Sequence, residues 1–149
     1  MADIKVLIVG LEIIDANIDE ISGFEVVGIG INRSEVFELL NRKKPDLVII
    51  NDCVPDLSNV ELITFTRKED LPIDFIIITA ITNSTTIKWA LRHGIFDYIC
   101  KPFIIDRLKD SLLSYCEFRR KLTCKDALNQ ADFDKYKGKV PFPQSPNFT

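Results

Sequence analysis

The feature that most constrains this chain is a set of four short runs of Val, Ile and Leu: "KVLIVG", "FEVVGIGI", "DLVIIN" and "DFIIITA". They are nearly continuous in apolar residues instead of alternating with polar ones. A strand wetted on one face alternates. A strand without polar positions needs apolar cover on both faces, as in a parallel sheet between two layers of helices. A weaker fifth run, "FDYIC", occupies residues 96–100.

Helical patterns separate these runs. "SEVFELLNRKK" opens at Ser34, a good N-cap residue, and offers Val36, Phe37, Leu39 and Leu40 for burial. "SNVELITFTRKED" opens at Ser58 with Glu61 three residues on, the spacing of a capping box, and offers Val60, Leu62, Ile63 and Phe65. "NSTTIKWALRHG" runs from a cap near Asn83 to a stop at Gly94. In "IIDRLKDSLLSYCEFRRKL", Ile105, Leu108, Leu112, Cys116 and Leu122 mark one side of a long last helix. Between the first two strands lies only "LEIIDANIDEISG", room for about three turns of helix. Strands alternating with helices over short links predict an α/β sheet covered on both faces.

A length of 149 residues suits one such domain. The domain is expected over residues 1–122. Residues 123–149 form a polar linker or tail, with three prolines in the last ten positions and too little apolar surface to order much of it. A formal net charge of −3 gives no general reason to expect nucleic-acid binding. Cys53, Cys100, Cys116 and Cys124 form no C-x-x-C pair, and His93 is the one histidine, so no metal-binding cluster is expected and the thiols are read as reduced. No signal peptide is recognised ahead of "KVLIVG". No run approaches the ~20 apolar residues that cross a bilayer. A cytoplasmic protein without a membrane partner is expected.

The order and spacing of "KKPDLVIIN", "VPDLSNVELI", "IIITA" and "GIFDYICKPF" resemble the receiver domain of bacterial two-component response regulators, from about Lys5 to Leu122. "EFRRKL" and "NQADFDKY" resemble the segment that follows the receiver in the citrate/C4-dicarboxylate-sensing subfamily. The resemblance implies a CheY-like (flavodoxin-like) doubly wound sheet of five parallel strands in the order 2-1-3-4-5, here with a shortened first helix. It also implies a set of site residues. An aspartate ending the third strand accepts a phosphoryl group. Two acids after the first strand help hold Mg²⁺, a hard cation that takes oxygen ligands. A Thr or Ser after the fourth strand and a Lys after the fifth contact the phosphoryl oxygens.

Carried onto this sequence, the resemblance retains half of that set. Thr79 matches the Thr, Lys101 followed by Pro102 matches the Lys, and Tyr98 matches an aromatic whose ring reorients in many receivers. The acceptor position falls on Asn51, and the acidic pair falls on Gly10 and Leu11, with Glu12 beside them. An amide is no carboxylate nucleophile and a poorer ligand for a hard cation. The expectation is therefore a degenerate pseudo-receiver, not an enzyme, with no catalytic residue, no metal and no cofactor.

Asp52 follows Asn51, and strand alternation sends its side chain to the opposite face unless the strand end is distorted. Lys101 either keeps a sensing role or pairs with Asp52 or Glu12. Thr79 either keeps a switch role or is an ordinary β-branched strand residue. Trp89 belongs either to the core or to a partner surface. The family's signalling face would comprise the fourth helix (83–93), the fifth strand and the fifth helix, with Ile87, Lys88, Trp89, Arg92, Tyr98 and Lys109 as candidates. Its partner would be another protein or a second copy of the chain, with DNA reached only through a further domain.

Two rivals remain. The dinucleotide-binding fingerprint G-x-G-x-x-G is absent: "GIG" at 28–30 follows the second strand, and Arg33 stands where a third glycine would fall. Unconventional phosphorylation at Asp52 stays open.

Overall fold

The computed structural model describes residues 3–10, 18, 21–52, 54–81, 83–124 and 130–131. Five strands lie among them: β1 (Ile4–Val9), β2 (Phe24–Gly30), β3 (Leu47–Asn51), β4 (Asp74–Thr79) and β5 (Asp97–Cys100). The four described helices are α1 (Arg33–Lys43), α2 (Asn59–Lys68), α3 (Ser84–Arg92) and α4 (Ile105–Cys124). The strands form one sheet in the order β2-β1-β3-β4-β5, and all four pairings are parallel. The shortened first helix and most of the polar tail fall outside the described residues. α4 extends two residues past the expected domain limit at 122.

The apolar runs follow the pleat. Leu7 and Val9 of β1, Val48 and Ile50 of β3, and Phe75 and Ile77 of β4 face one core, which α1, α2 and α3 cover with Val36, Leu39, Leu40, Leu62, Ile63 and Ala90. The intervening Ile4, Val6, Ile8, Leu47, Ile49, Ile76 and Ile78 face a second core, covered by Leu108, Leu112 and Tyr115 of α4 together with Ile18. Each run had to be apolar throughout because alternate residues serve opposite layers. α1 lies close against β2: a Cβ added at Gly30 would stand 2.7 Å from Val36 Cγ2.

Several helix details differ from expectation. α1 is capped by Asn32, whose side chain accepts from Glu35 N–H, and not by Ser34. Asn32 is favoured because Glu35, three residues on, reaches back to Ile31 N–H at 3.0 Å, giving reciprocal satisfaction of the helix start. Ser58 and Asn83 cap α2 and α3 as the sequence predicts. Val60 is 43% exposed because it lies in the first turn of α2, at the rim of the layer. Ile105 and Leu122, near the two ends of α4, are likewise exposed, and the buried line runs through Leu108, Ser111, Leu112 and Tyr115. No described helix is long and apolar enough to cross a membrane.

Candidate functional site at the strand ends

The carboxyl ends of β1, β3, β4 and β5 converge on one edge of the sheet, where open α/β folds place their ligand sites. Backbone hydrogen bonds continue the ladder past the strands: Gly10 N–H donates to Gly30 O, Asp52 N–H to Ile78 O at 2.8 Å, and Lys101 N–H to Thr79 O at 2.9 Å. These bonds bring together residues far apart in the chain. Asn51 and Thr79 are both buried there.

The alternation expected for Asp52 stops one residue early. Asp52 has φ +59°, in the left-handed region, which Asp tolerates better than most residues. The turn ends the pleat at Asn51 and re-aims the Asp52 carboxylate, so the opposite-face expectation fails. Lys101 Nζ donates to Asp52 Oδ2 at 2.7 Å. The Thr79 hydroxyl and the Ala80 backbone N–H stand beside this carboxylate. Burial pushes the Asp52 carboxyl up, but the Lys101 bond and charge, with the neighbouring Thr79 hydroxyl and Ala80 N–H, outweigh it, so it lies below its ordinary 3.8. Of the two acids that the sequence offers Lys101, Asp52 is met at this distance. Leu11 and Glu12 lie outside the described residues. The Lys101–Pro102 peptide is cis.

Gly10 constrains the site from the other side. Its φ is +150°, and a Cβ built there would stand 2.4 Å from the Asn51 carbonyl oxygen. No side chain of any kind, let alone a carboxylate, can be added without moving the end of β3. A divalent cation therefore does not fit the described residues. They offer one carboxylate, already bound by Lys101, an amide at Asn51, and a backbone position that admits no ligand. No group of three His, Cys, Asp or Glu suited to a metal occurs among them.

From this edge a hydrogen-bonded chain leads to the surface. Ile81 N–H donates to Thr79 Oγ1 at 3.1 Å, and the Tyr98 hydroxyl donates to Ile81 O at 2.7 Å. Burial pushes the Tyr98 phenol above its ordinary range. Tyr98 and Trp89 both pack partly against the core under α3, and Trp89 stacks on His93 at 3.9 Å between ring centres. Trp89 thus belongs partly to the core while keeping some exposure. Ile87 and Lys109 are half-buried, and Lys88 and Arg92 are exposed. Arg107 fixes α4 to β5 through two bonds to Asp97, at 2.8 and 2.9 Å, the paired geometry that gives Arg–carboxylate contacts their specificity.

The sequence reading missed Ala80 and Ile81, whose contribution is made by backbone groups that residue type does not reveal. It also missed Ile104, 71% exposed beside Pro102 and Phe103. A signal for it was present, since "PFII" exceeds what one helix start can bury.

A doubly wound parallel sheet in this order, with Thr79, Lys101 and a strand-end Asp gathered at its carboxyl edge, defines a CheY-like domain. The family description "Response regulator receiver domain" matches residues 11–113, and the chain belongs to that family. It is 32% identical over 118 residues to the "Probable C4-dicarboxylate response regulator DctR" of Halalkalibacterium halodurans, covering 79% of this chain and 51% of that protein. It is 33% identical over 117 residues to the "Transcriptional regulatory protein CitT" of Bacillus subtilis, covering 78% and 52%. The chain thus spans about half the length of these curated relatives. Among solved structures, the REC domain of AraT, a response regulator from Geobacillus stearothermophilus, superposes with a TM-score of 0.69 at 28% identity, covering 80% of this chain and 98% of that one.

Proposed function

We propose that this receiver domain is a pseudo-receiver that signals through protein–protein contact without accepting a phosphoryl group, and that it holds no resident divalent cation. The observation that carries this reading is the engagement of Lys101 by Asp52 beside a buried amide, Asn51, at the end of β3. Phosphoryl transfer to a carboxylate depends on positioning and on neutralising charge with metal and cations. Here the cation is bound to an internal carboxylate, and the Gly10 backbone leaves no room for an acidic ligand.

The contact surface in this reading is built from α3, β5 and α4, with Ile87, Lys88, Trp89, Arg92, Tyr98 and Lys109 presented to another protein or to a second copy of the chain. By analogy with the "Transcriptional regulatory protein CitT", about half of which the match spans, the domain would be the regulatory half of such a protein. Any DNA contact would then belong to a further domain. The sequence offers no base-reading motif: "FRRKL" is a single short basic cluster, more often a solvated helix face than a DNA contact.

A second reading is favoured by one observation: the Asp52 carboxylate stands beside Thr79 and Lys101, the residues that contact phosphoryl oxygens in the family. Intact mass after incubation with acetyl phosphate and Mg²⁺ separates the two. No adduct is expected. An adduct that hydroxylamine removes, and that disappears in Asp52→Asn, would make Asp52 the acceptor and overturn the phosphorylation-independent reading.

A further inference from the structure

Away from the strand ends that carry Asp52 and Lys101, the amino edge of the sheet holds a cavity of about 300 Å³ between α1 and α2. That volume lies at the small end of the ~300–1,000 Å³ typical of ligand pockets. Phe37 and Leu40 of α1, Phe65 of α2, and Leu71 and Ile73 ahead of β4 supply its apolar walls. Phe37 and Phe65 meet edge to face with ring centres 4.9 Å apart, so an aromatic pair forms part of the lining.

The way the two helices stop shapes this cavity. Each is followed by a left-handed residue that is not glycine: Lys44 at φ +49° closes α1, and Asp70 at φ +54° lies just past α2. Both turns lead to a proline, Pro45 or Pro72, that also lines the cavity. The links are then fastened at the backbone. Asp46 N–H donates to Lys5 O at 2.8 Å, and Asp46 O accepts from Asp74 N–H at 3.0 Å. Leu71 N–H donates to Thr66 O at 2.9 Å, and Ile73 O accepts from Arg67 Nη1 at 2.8 Å. The walls are therefore preformed, as small-molecule sites usually are.

The polar side chains of the lining narrow the chemistry of an occupant. Asp46 is already engaged, by Lys5 N–H at 2.9 Å and by Arg119 at 3.5 Å. Asn41, Lys44 and Glu69 line the cavity and are exposed, so they form its rim. Neither Lys44 nor Glu69 makes an ion pair among the described residues. The rim thus offers one uncommitted cation and one uncommitted anion above an apolar interior. A hydrocarbon would gain nothing from either charge. An acid would face Glu69 as well as Lys44, and an amine would face Lys44 as well as Glu69. A molecule with both charges on an apolar body complements the whole site.

We propose that this cavity binds a free amino acid with a large apolar side chain. The side chain enters beside Phe37 and Phe65, the α-carboxylate meets Lys44, and the α-ammonium meets Glu69. The site is separate from the strand ends and stands whether or not Asp52 accepts a phosphoryl group.

The test titrates L-phenylalanine and L-leucine into the full chain and follows backbone amide shifts by NMR. Saturable shifts are expected at Lys44, Glu69, Leu71 and Ile73, with Ile81 at the carboxyl edge unmoved. Phenylpropionate, which lacks the ammonium, and phenethylamine, which lacks the carboxylate, should each bind about fivefold more weakly than L-phenylalanine, the size of one exposed ion pair. Glu69→Gln should abolish the preference over phenylpropionate, and Lys44→Met the preference over phenethylamine. Both residues are exposed, so neither change disturbs the core.

No saturable shift with either amino acid up to about 10 mM would overturn the site. Phenylpropionate, phenethylamine or toluene binding as well as L-phenylalanine would overturn the zwitterion and make the occupant an apolar acid, amine or hydrocarbon. Preferences unchanged in both charge variants would remove Lys44 and Glu69 from the site. Shifts at these residues that grow with protein concentration alone would give the cavity to a second copy of the chain. A phosphoryl adduct at Asp52 alters none of these outcomes, so the failure of either reading is seen separately.

Discussion

Both edges of the sheet carry acidic residues, and the two edges use them differently. At the carboxyl edge, Asp52 sits in a left-handed conformation, and its carboxylate is 42% exposed while bound to Lys101. At the amino edge, Asp46 and Asp74 begin or precede strands without such strain. Asp46 accepts from Lys5 N–H at 2.9 Å and lies 3.5 Å from Arg119, and Asp74 accepts the Tyr115 hydroxyl. These contacts tie α4 to the sheet from below. Tyr115 is fully buried and also packs edge-on against Phe96 at 5.1 Å. An acid that accepts from backbone and a buried phenol, in relaxed geometry, acts as a fastening. An acid held in a rare backbone conformation and turned toward a cation is where functional constraint is to be sought.

That contrast can be broken most forcefully at Gly10. Gly10→Ala would place a methyl group 2.4 Å from the Asn51 carbonyl at a φ that L-residues rarely adopt. The expected loss is roughly 3 kcal/mol or more, read as a lower urea midpoint with an unchanged slope. A near-neutral result would mean that the carboxyl edge is slack, and the argument against a metal ligand at this position would go with it. Tyr115→Phe probes the opposite edge. It keeps the ring packing but leaves Asp74 without its donor, and should cost about 1.5 kcal/mol. It should leave the amide exchange of Ile81 at the carboxyl edge untouched. If Ile81 responded, the two edges would be coupled through the sheet instead of independent.

How the edges differ could be read from the sequence only in part. The fold was legible because the runs at residues 5–10, 46–51 and 74–80 have apolar residues at both parities, which forces cover on both faces. Ser58 and Asn83 were legible as caps because their capping is local. Asn32 was not, since Ser34 is an equally good cap by residue type and the choice depends on Glu35 reaching Ile31. The positions of Asn51, Thr79 and Lys101 followed from spacing. What Asp52 does was not legible, because one dihedral angle decides it and residue type only permits that angle. Tyr115 was missed as a core residue for a similar reason: a phenol that looks amphipathic in sequence is buried because Asp74, 41 residues away, accepts its hydrogen bond.

The smallest expected effect separates the edges by pH. Asp52 is held below its ordinary 3.8, so the ionised form is the one favoured by folding. Its contribution to stability is fully present above 3.8 and is lost as pH falls through the lower native value. Tyr115 behaves oppositely. Burial first, then the charge and hydrogen bond of Asp74, push its phenol well above the ordinary 10.0, with Arg119 opposing in part. That contribution is present below 10.0 and is lost as pH rises beyond it. The carboxyl edge should therefore weaken in acid and the amino edge in alkali. In urea midpoints measured across pH, Asp52→Asn should flatten part of the acid limb and leave the alkaline limb alone, while Tyr115→Phe should do the reverse. Asp97 narrows the acid effect. It too is lowered, since burial pushes it up but the hydrogen bonds and charge of Arg107 outweigh that push, and it falls in the same acid window. With the exposure of Asp52 adding solvent screening, only a fraction of the acid limb should move. If Asp52→Asn left that limb unchanged while Arg107→Ala flattened it, the acid sensitivity would belong to the β5–α4 fastening, and the carboxylate at the strand end would contribute little to stability.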